Sequence, residues 1–205
     1  MLIQATVGPQ SAQSVQPGTL AALRLGQLND LVVSELHGKY YEGAYRKNRY
    51  TAANQAGQVT TVGLATTYTG LCVYNPVGTS VNGILELAGF SSVVTPAASM
   101  AIGIMTGYAA TGGVTTVTTA VTPSNNFGGA AAGQLKAISS GVITTPVLQT
   151  ILGAVAITTT YSEPGLFDLG GAIILPPGAF AAFYTSTASG AAGMFFSMQW
   201  EEVPV

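Results

Sequence analysis

Large apolar residues recur at every second position in several separate stretches of the chain. Near its end Met194, Phe196, Met198 and Trp200 alternate with Phe195, Ser197, Gln199 and Glu201. Met100, Ile102, Ile104 and Tyr108 alternate with Ala101, Gly103 and Gly107, and Val81, Leu85 and Leu87 stand against Asn82 and Glu86. A period of two places alternate side chains on opposite faces of a strand, so each bulky set predicts an inward-facing row. Val114 to Val121 is dominated by Val and Thr, which suit the pleated conformation. Turn chemistry separates the runs at Asn75-Pro76-Val77-Gly78, Gly112-Gly113, Pro123-Ser124-Asn125-Asn126, Glu163-Pro164-Gly165 and Pro176-Pro177-Gly178. About eight short strands with turns between them predict an all-β fold, an antiparallel β-sandwich or jelly roll over residues 39–205.

Residues 1–38 carry a different pattern. Met1 to about Gly18 is rich in Gln, Ser and Pro and reads as an extended arm. Thr19 is placed to cap a helix in which Ala21, Leu25, Leu28, Val32 and Leu36 share one face and Arg24, Gln27, Asp30 and Ser34 the other. Gly38 would end it, and Gly26 inside it costs about 1 kcal/mol relative to Ala. The opening residues lack the basic and apolar regions of a signal peptide. The most membrane-like run, Val142 to Ile157, is interrupted by Thr144, Thr145, Pro146, Gln149 and Gly153. It falls short of the roughly 20 apolar residues of a membrane span, so a buried strand pair is expected there and no membrane partner.

Composition sharpens this picture. Charged residues make up 7% of the chain, against about 25% in an ordinary soluble domain. Interface cores are depleted of Lys, Glu and Asp, so a chain that omits charge suits burial against neighbours. No charged residue lies between Glu86 and Lys136. A Thr/Ser-rich face open to water would account for that stretch without a partner. Packing against symmetry mates accounts for it as an obligate interface, and is the favoured expectation. The net charge of −2 supplies no field to recruit nucleic acid.

Candidate chemistry is sparse. His37 and Cys72 are the sole residues of their kinds, too few for a zinc site or for a nucleophile with its base. Cys72, in Leu71-Cys72-Val73-Tyr74, reads as a small buried hydrophobe with no basic neighbour. Glu163, Asp168, Glu201 and Glu202 are the carboxylates that could pair for glycoside hydrolysis, but all four read as solvated loop or edge charges. The Gly-rich run Gly128 to Gly133 lacks phosphate-loop or dinucleotide spacing. Neither an enzyme activity nor a cofactor or metal is expected.

The one charge cluster interleaves Lys39, Tyr40, Tyr41, Tyr45, Arg46, Lys47, Arg49 and Tyr50. Tyr and Arg are over-represented at protein hot spots, so a partner-binding role on an acidic surface is expected. A single-strand nucleic-acid grip and a plainly solvated hairpin are the alternatives, and the acidic balance counts against the first.

The stretch Val33-Ser34-Glu35-Leu36-His37-Gly38-Lys39-Tyr40-Tyr41-Glu42, followed by Tyr45-Arg46 and Ala52-Ala53-Asn54-Gln55, opens a resemblance. Leu175-Pro176-Pro177-Gly178-Ala179-Phe180, Tyr184-Thr185-Ser186 and Trp200-Glu201-Glu202-Val203-Pro204 continue it at the other end. In these residues the chain resembles small virion structural proteins of tailed bacteriophages, of the kind that cement or decorate the head. The resemblance implies a jelly-roll cement protein on the capsid surface, made in the host cytoplasm. It implies a homotrimer at local three-fold positions, bridging capsomers of the major capsid protein, with no catalytic residues to carry over. Another virion jelly roll (tail, fibre or shell) and a carbohydrate- or receptor-binding sandwich are the alternative expectations.

Overall fold

The structure is a computed structural model that describes residues 39–129, 133–157 and 165–205. The expected arm, the expected helix ending at Gly38, His37 and Glu163 lie outside the described residues. The chain divides into two compact units, Met1–Glu42 and Gly43–Val205. A five-residue helix, α1 (Tyr41–Tyr45), begins in the first and ends in the second.

The second unit contains β1 (Arg49–Ala53), β2 (Thr67–Tyr74), β3 (Val81–Ser92), β4 (Met100–Tyr108), β5 (Val114–Val121) and β6 (Ser124–Asn125). It continues with β7 (Lys136–Ile143), β8 (Val147–Val155), β9 (Gly165–Leu175), β10 (Ala179–Thr185) and β11 (Met194–Pro204). β1 pairs with β11, β2 with β10, β3 with β9 and β4 with β8, all antiparallel. These pairs form a ribbon, which the pairings of β11 with β3 and β10 with β4 roll into two sheets. The frame is a jelly roll of two four-stranded sheets, β1-β11-β3-β9 and β2-β10-β4-β8. The remaining strands, β5, β6 and β7, are an insertion between β4 and β8. β7 and then β5 extend the second sheet beyond β2, and the two-residue β6 pairs beside β1 in the first.

Facing sides of the sheets supply the main core. Met194, Phe196, Met198 and Trp200 of β11 are buried in it, as their alternation predicts, with Leu71, Leu85, Ile102 and Ile104. Phe183 and Phe196 stack across the sheets with ring centroids 4.4 Å apart. Two residues leave their predicted rows. The register of β3 shifts between Leu85 and Leu87, and that of β11 between Gln199 and Trp200. A one-residue shift reverses the faces of a strand. Ala88 and Phe90 therefore point inward, and Leu87 is only partly buried. Tyr108 ends β4 beyond the core and is 59% exposed.

The buried strand pair expected over Val142–Ile157 does not form. β7 pairs with β2 and β5 while β8 pairs with β4, four positions away in the sheet. Thr144, Thr145 and Pro146 alone connect them. A flat sheet would hold these strands about 19 Å apart, at about 4.8 Å per strand. The steps from Ile143 to Val147 reach at most about 14 Å, so the sheet has to curl. The link crosses near the start of β10, where the Thr144 carbonyl and the Phe180 ring occupy the space a Cβ on Gly107 would need. On the face turned away from the main core, Tyr68, Cys72, Met105, Ile138, Ile143, Phe180 and Ala182 form a second buried cluster. Both faces of β2 are consequently dry, which is why Leu71-Cys72-Val73 shows no alternation.

Tyr68 is the polar member of that second cluster. Its hydroxyl donates to the carbonyls of Leu71 at 2.8 Å and Phe183 at 3.2 Å. It also sits 2.4 Å from where a Cβ on Gly70 would stand, and Gly70 has a φ of 149°, so glycine is required there. Burial raises the hydroxyl's pKa well above the usual tyrosine value and keeps it a donor. Tyr68→Phe is expected to destabilise the protein by about 1–3 kcal/mol, because the one buried O–H shared between these carbonyls is lost. Urea unfolding checks this, and an unchanged midpoint would contradict it.

Candidate interaction surface

Residues 39–50 fall into two units and into quite different environments. In the first unit the Lys39 ammonium lies 5.0 Å from the centroid of the Tyr40 ring, and Tyr41 is exposed. In the second, the chain leaves α1 through a tight turn. Lys47 N–H donates to the Ala44 carbonyl at 3.0 Å and Asn48 N–H to that of Gly43 at 3.1 Å. Lys47 closes the turn in the left-handed region, with a φ of 63°.

An exposed aromatic and cationic patch results. Tyr45 meets Phe127 edge-on with centroids 6.0 Å apart, and the Lys47 ammonium lies 5.5 Å over the same ring. Asn125 of β6 holds the two segments together. Its side-chain amide donates to the Lys47 carbonyl at 2.7 Å and its Oδ1 accepts the Phe127 N–H at 2.8 Å. Arg46 is exposed beside Tyr45 and Lys47. Phe127 was invisible as a site residue in the sequence, since only the pairing of β6 with β1 brings it to Tyr45.

Arg49 and Tyr50 are both buried instead, on opposite faces of β1, which lies between β6 and β11. Arg49 forms an ion pair with Glu86, their side chains 6% and 14% exposed. Tyr50 stacks on Trp200 with centroids 6.1 Å apart. Burial raises the Tyr50 pKa, the Glu202 carboxylate raises it further, and a hydrogen bond with Asn125 lowers it.

Glu202 corrects the expectation of a solvated C-terminal charge. β11 runs to Pro204, so Glu202 is part of the sheet and is buried. Its carboxylate accepts the backbone N–H groups of Gln134 at 2.8 Å and Leu135 at 2.9 Å, and the Trp200 indole N–H lies at 3.4 Å. It therefore fastens the chain just ahead of β7. Gly133 leaves room for it, since a Cβ there would stand 2.3 Å from Glu202 Oε1. Glu201, on the opposite face of β11, has a raised pKa: burial dominates, Glu86 adds to it, and Arg49 and Arg46 offset part of it. Asp168 is exposed on β9 and accepts the Gly170 N–H at 2.8 Å. Cys72 is fully buried and its thiol pKa is raised by burial. Among the described residues no three His, Cys, Asp or Glu side chains gather. No helix among them is long and apolar enough to cross a membrane.

The other conspicuous surface is β5. Its residues Thr115 to Ala120 are exposed in unbroken succession, so both of its faces meet solvent. Among the described residues it is paired along one edge only, to β7, through a ladder with several register shifts. Lys136 is the sole charged residue in the strands of the six-stranded sheet. Comparison with protein-family models, with curated proteins and with solved structures finds no match.

Two outcomes follow from the ionic contacts. Glu86→Ala, which strands Arg49 without its buried partner, is expected to destabilise the fold by about 3 kcal/mol or more, whereas Arg49→Met combined with Glu86→Leu costs far less. Equal losses in chemical denaturation would show that the pair is not a coupled buried contact. Glu201, with its pKa higher in the fold than in the unfolded chain, contributes stability at low pH that is lost as pH rises from the usual glutamate range through the raised value. Glu201→Gln should thus raise the melting temperature at about pH 7 and leave it unchanged at about pH 4, below the ordinary carboxylate pKa. A gain of the same size at both pH values would contradict the assignment.

Proposed function

We propose that this chain is a structural subunit of a tailed-phage particle, a cement or decoration protein that binds the outside of the head and bridges capsomers. The observation that carries the reading is β5, a Val/Thr strand exposed on both faces at the end of a sheet with one charge. A strand normally buries at least one face, whereas β5 exposes six uncharged residues, four of them Thr, and interface cores are depleted of charge. Its irregular ladder blunts it as a template for edge pairing, so its two side-chain faces are what it offers a neighbour. A homotrimer contacting through the insertion gives those faces a partner. The resemblance of both chain ends to phage cement proteins supports the same reading, and the jelly-roll frame is compatible with it.

The exposed patch of Tyr45, Arg46, Lys47 and Phe127 is the docking surface for an acidic region of the major capsid protein. Arg49 and Tyr50 support it from within the fold. A cement protein binds the assembled shell and stabilises it by mass action.

The test is sedimentation of the purified protein with heads that lack it. Saturable occupancy is expected, and Arg46→Ser with Lys47→Ser should weaken it about tenfold or more, a loss of about 1.4 kcal/mol or more. Both side chains are exposed, so the melting temperature of the variant should stay unchanged. No binding to heads would remove the cement reading, and undiminished occupancy of the double variant would remove the docking assignment.

A further inference from the structure

β8 and β9 are the free end strands of the two sheets, and between them, at the end of β4, lies an open groove of about 560 Å³. That volume falls among small-ligand clefts, which span about 300–1,000 Å³. Its polar side chains are Thr106, Tyr108, Thr145 and Gln149, its apolar walls include Val147 and Ile174, and none of its lining residues is charged. The Tyr108 ring is 59% exposed and so is free to lie against a ligand. Thr145 stands at the rim with a φ of 43°, a conformation that β-branched residues rarely adopt. The preceding residue anchors it there: Thr144 N–H and Oγ1 donate to the Gly113 carbonyl at 2.9 and 3.0 Å.

We propose that this groove binds a neutral oligosaccharide. An ionic ligand would be desolvated here with no opposite charge to meet it. A purely apolar ligand would strip water from three hydroxyls and an amide and return no hydrogen bond. A neutral sugar satisfies both demands. Its C–H face lies on the Tyr108 ring and the aliphatic walls, and its hydroxyls exchange hydrogen bonds with Thr106, Thr145 and Gln149. None of the residues lining the groove belongs to β5, so the site is distinct from the proposed assembly surface.

Titration calorimetry with maltotriose and with tri-N-acetylchitotriose, alongside the charged sialyllactose, tests the proposal on the full chain. The expected result is saturable binding of at least one neutral trisaccharide, weakened about tenfold in Tyr108→Ala and in Gln149→Ala and unchanged in Tyr45→Ala. Each replaced side chain is exposed, so equal melting temperatures verify folding. Absence of binding by both neutral sugars, preference for sialyllactose, or undiminished affinity in Tyr108→Ala would each overturn it.

Discussion

Thr144 to Pro146 must carry the chain from β7 to β8 across four strand positions, and that short reach governs the rest of the six-stranded sheet. Because the sheet has to curl, it acquires a second interior on the face turned from the main core. That interior buries Cys72, Met105 and Phe180, fixes the Tyr68 hydroxyl against Gly70, and leaves no room for a side chain at Gly107. The same geometry carries β5 past β7 to the end of the sheet, where Thr115 to Ala120 stay exposed on both faces. It also brings Thr145 to the rim of the groove beside β8. One covalent constraint thus links the second core, the bare strand and the groove.

The near absence of charge is met inside the fold by neutral polar groups. Asn75 donates to the carbonyls of Val81 at 2.7 Å and Leu175 at 2.9 Å, tying the start of β3 to the end of β9. Thr185 donates to Thr60 at 3.0 Å, and Thr60 and Ser189 exchange backbone-to-hydroxyl hydrogen bonds. Such contacts satisfy buried backbone groups without the desolvation penalty of an ion. Among the described residues, the buried ionised groups are matched by partners. Arg49 and Glu86 neutralise one another, and Glu202 holds the backbone ahead of β7. Little charge is left for the surface, and what is exposed near α1 is the cationic pair Arg46 and Lys47.

How much of this was legible beforehand follows from the range of each interaction. The alternation in β11 exposed an inward row because one face of that strand is buried along its length. The turns were readable from their Gly, Pro and Asn, and the insertion strand β5 from its run of Val and Thr. Leu87 was misplaced because a bulge leaves no mark in composition, and the 142–157 region because partner choice in a sheet is non-local. Within the candidate surface, exposure of Arg46 and Lys47 agrees with their place in a turn. The burial of Arg49, Tyr50 and Glu202 depends on β1 and β11 lying side by side, residues about 150 positions apart in the chain. No local pattern could carry that information.

The central claim is that β5 is covered by further copies of the chain. Light scattering on the purified protein at several concentrations, for the natural sequence and for Val117→Glu, tests it most directly. Val117 is 45% exposed, so the substitution leaves the fold intact while placing a charge on the neutral strand. The account predicts a concentration-independent trimer that falls to monomer in Val117→Glu. A natural chain that stays monomeric at micromolar concentration, or a Val117→Glu variant that remains fully trimeric, would contradict it.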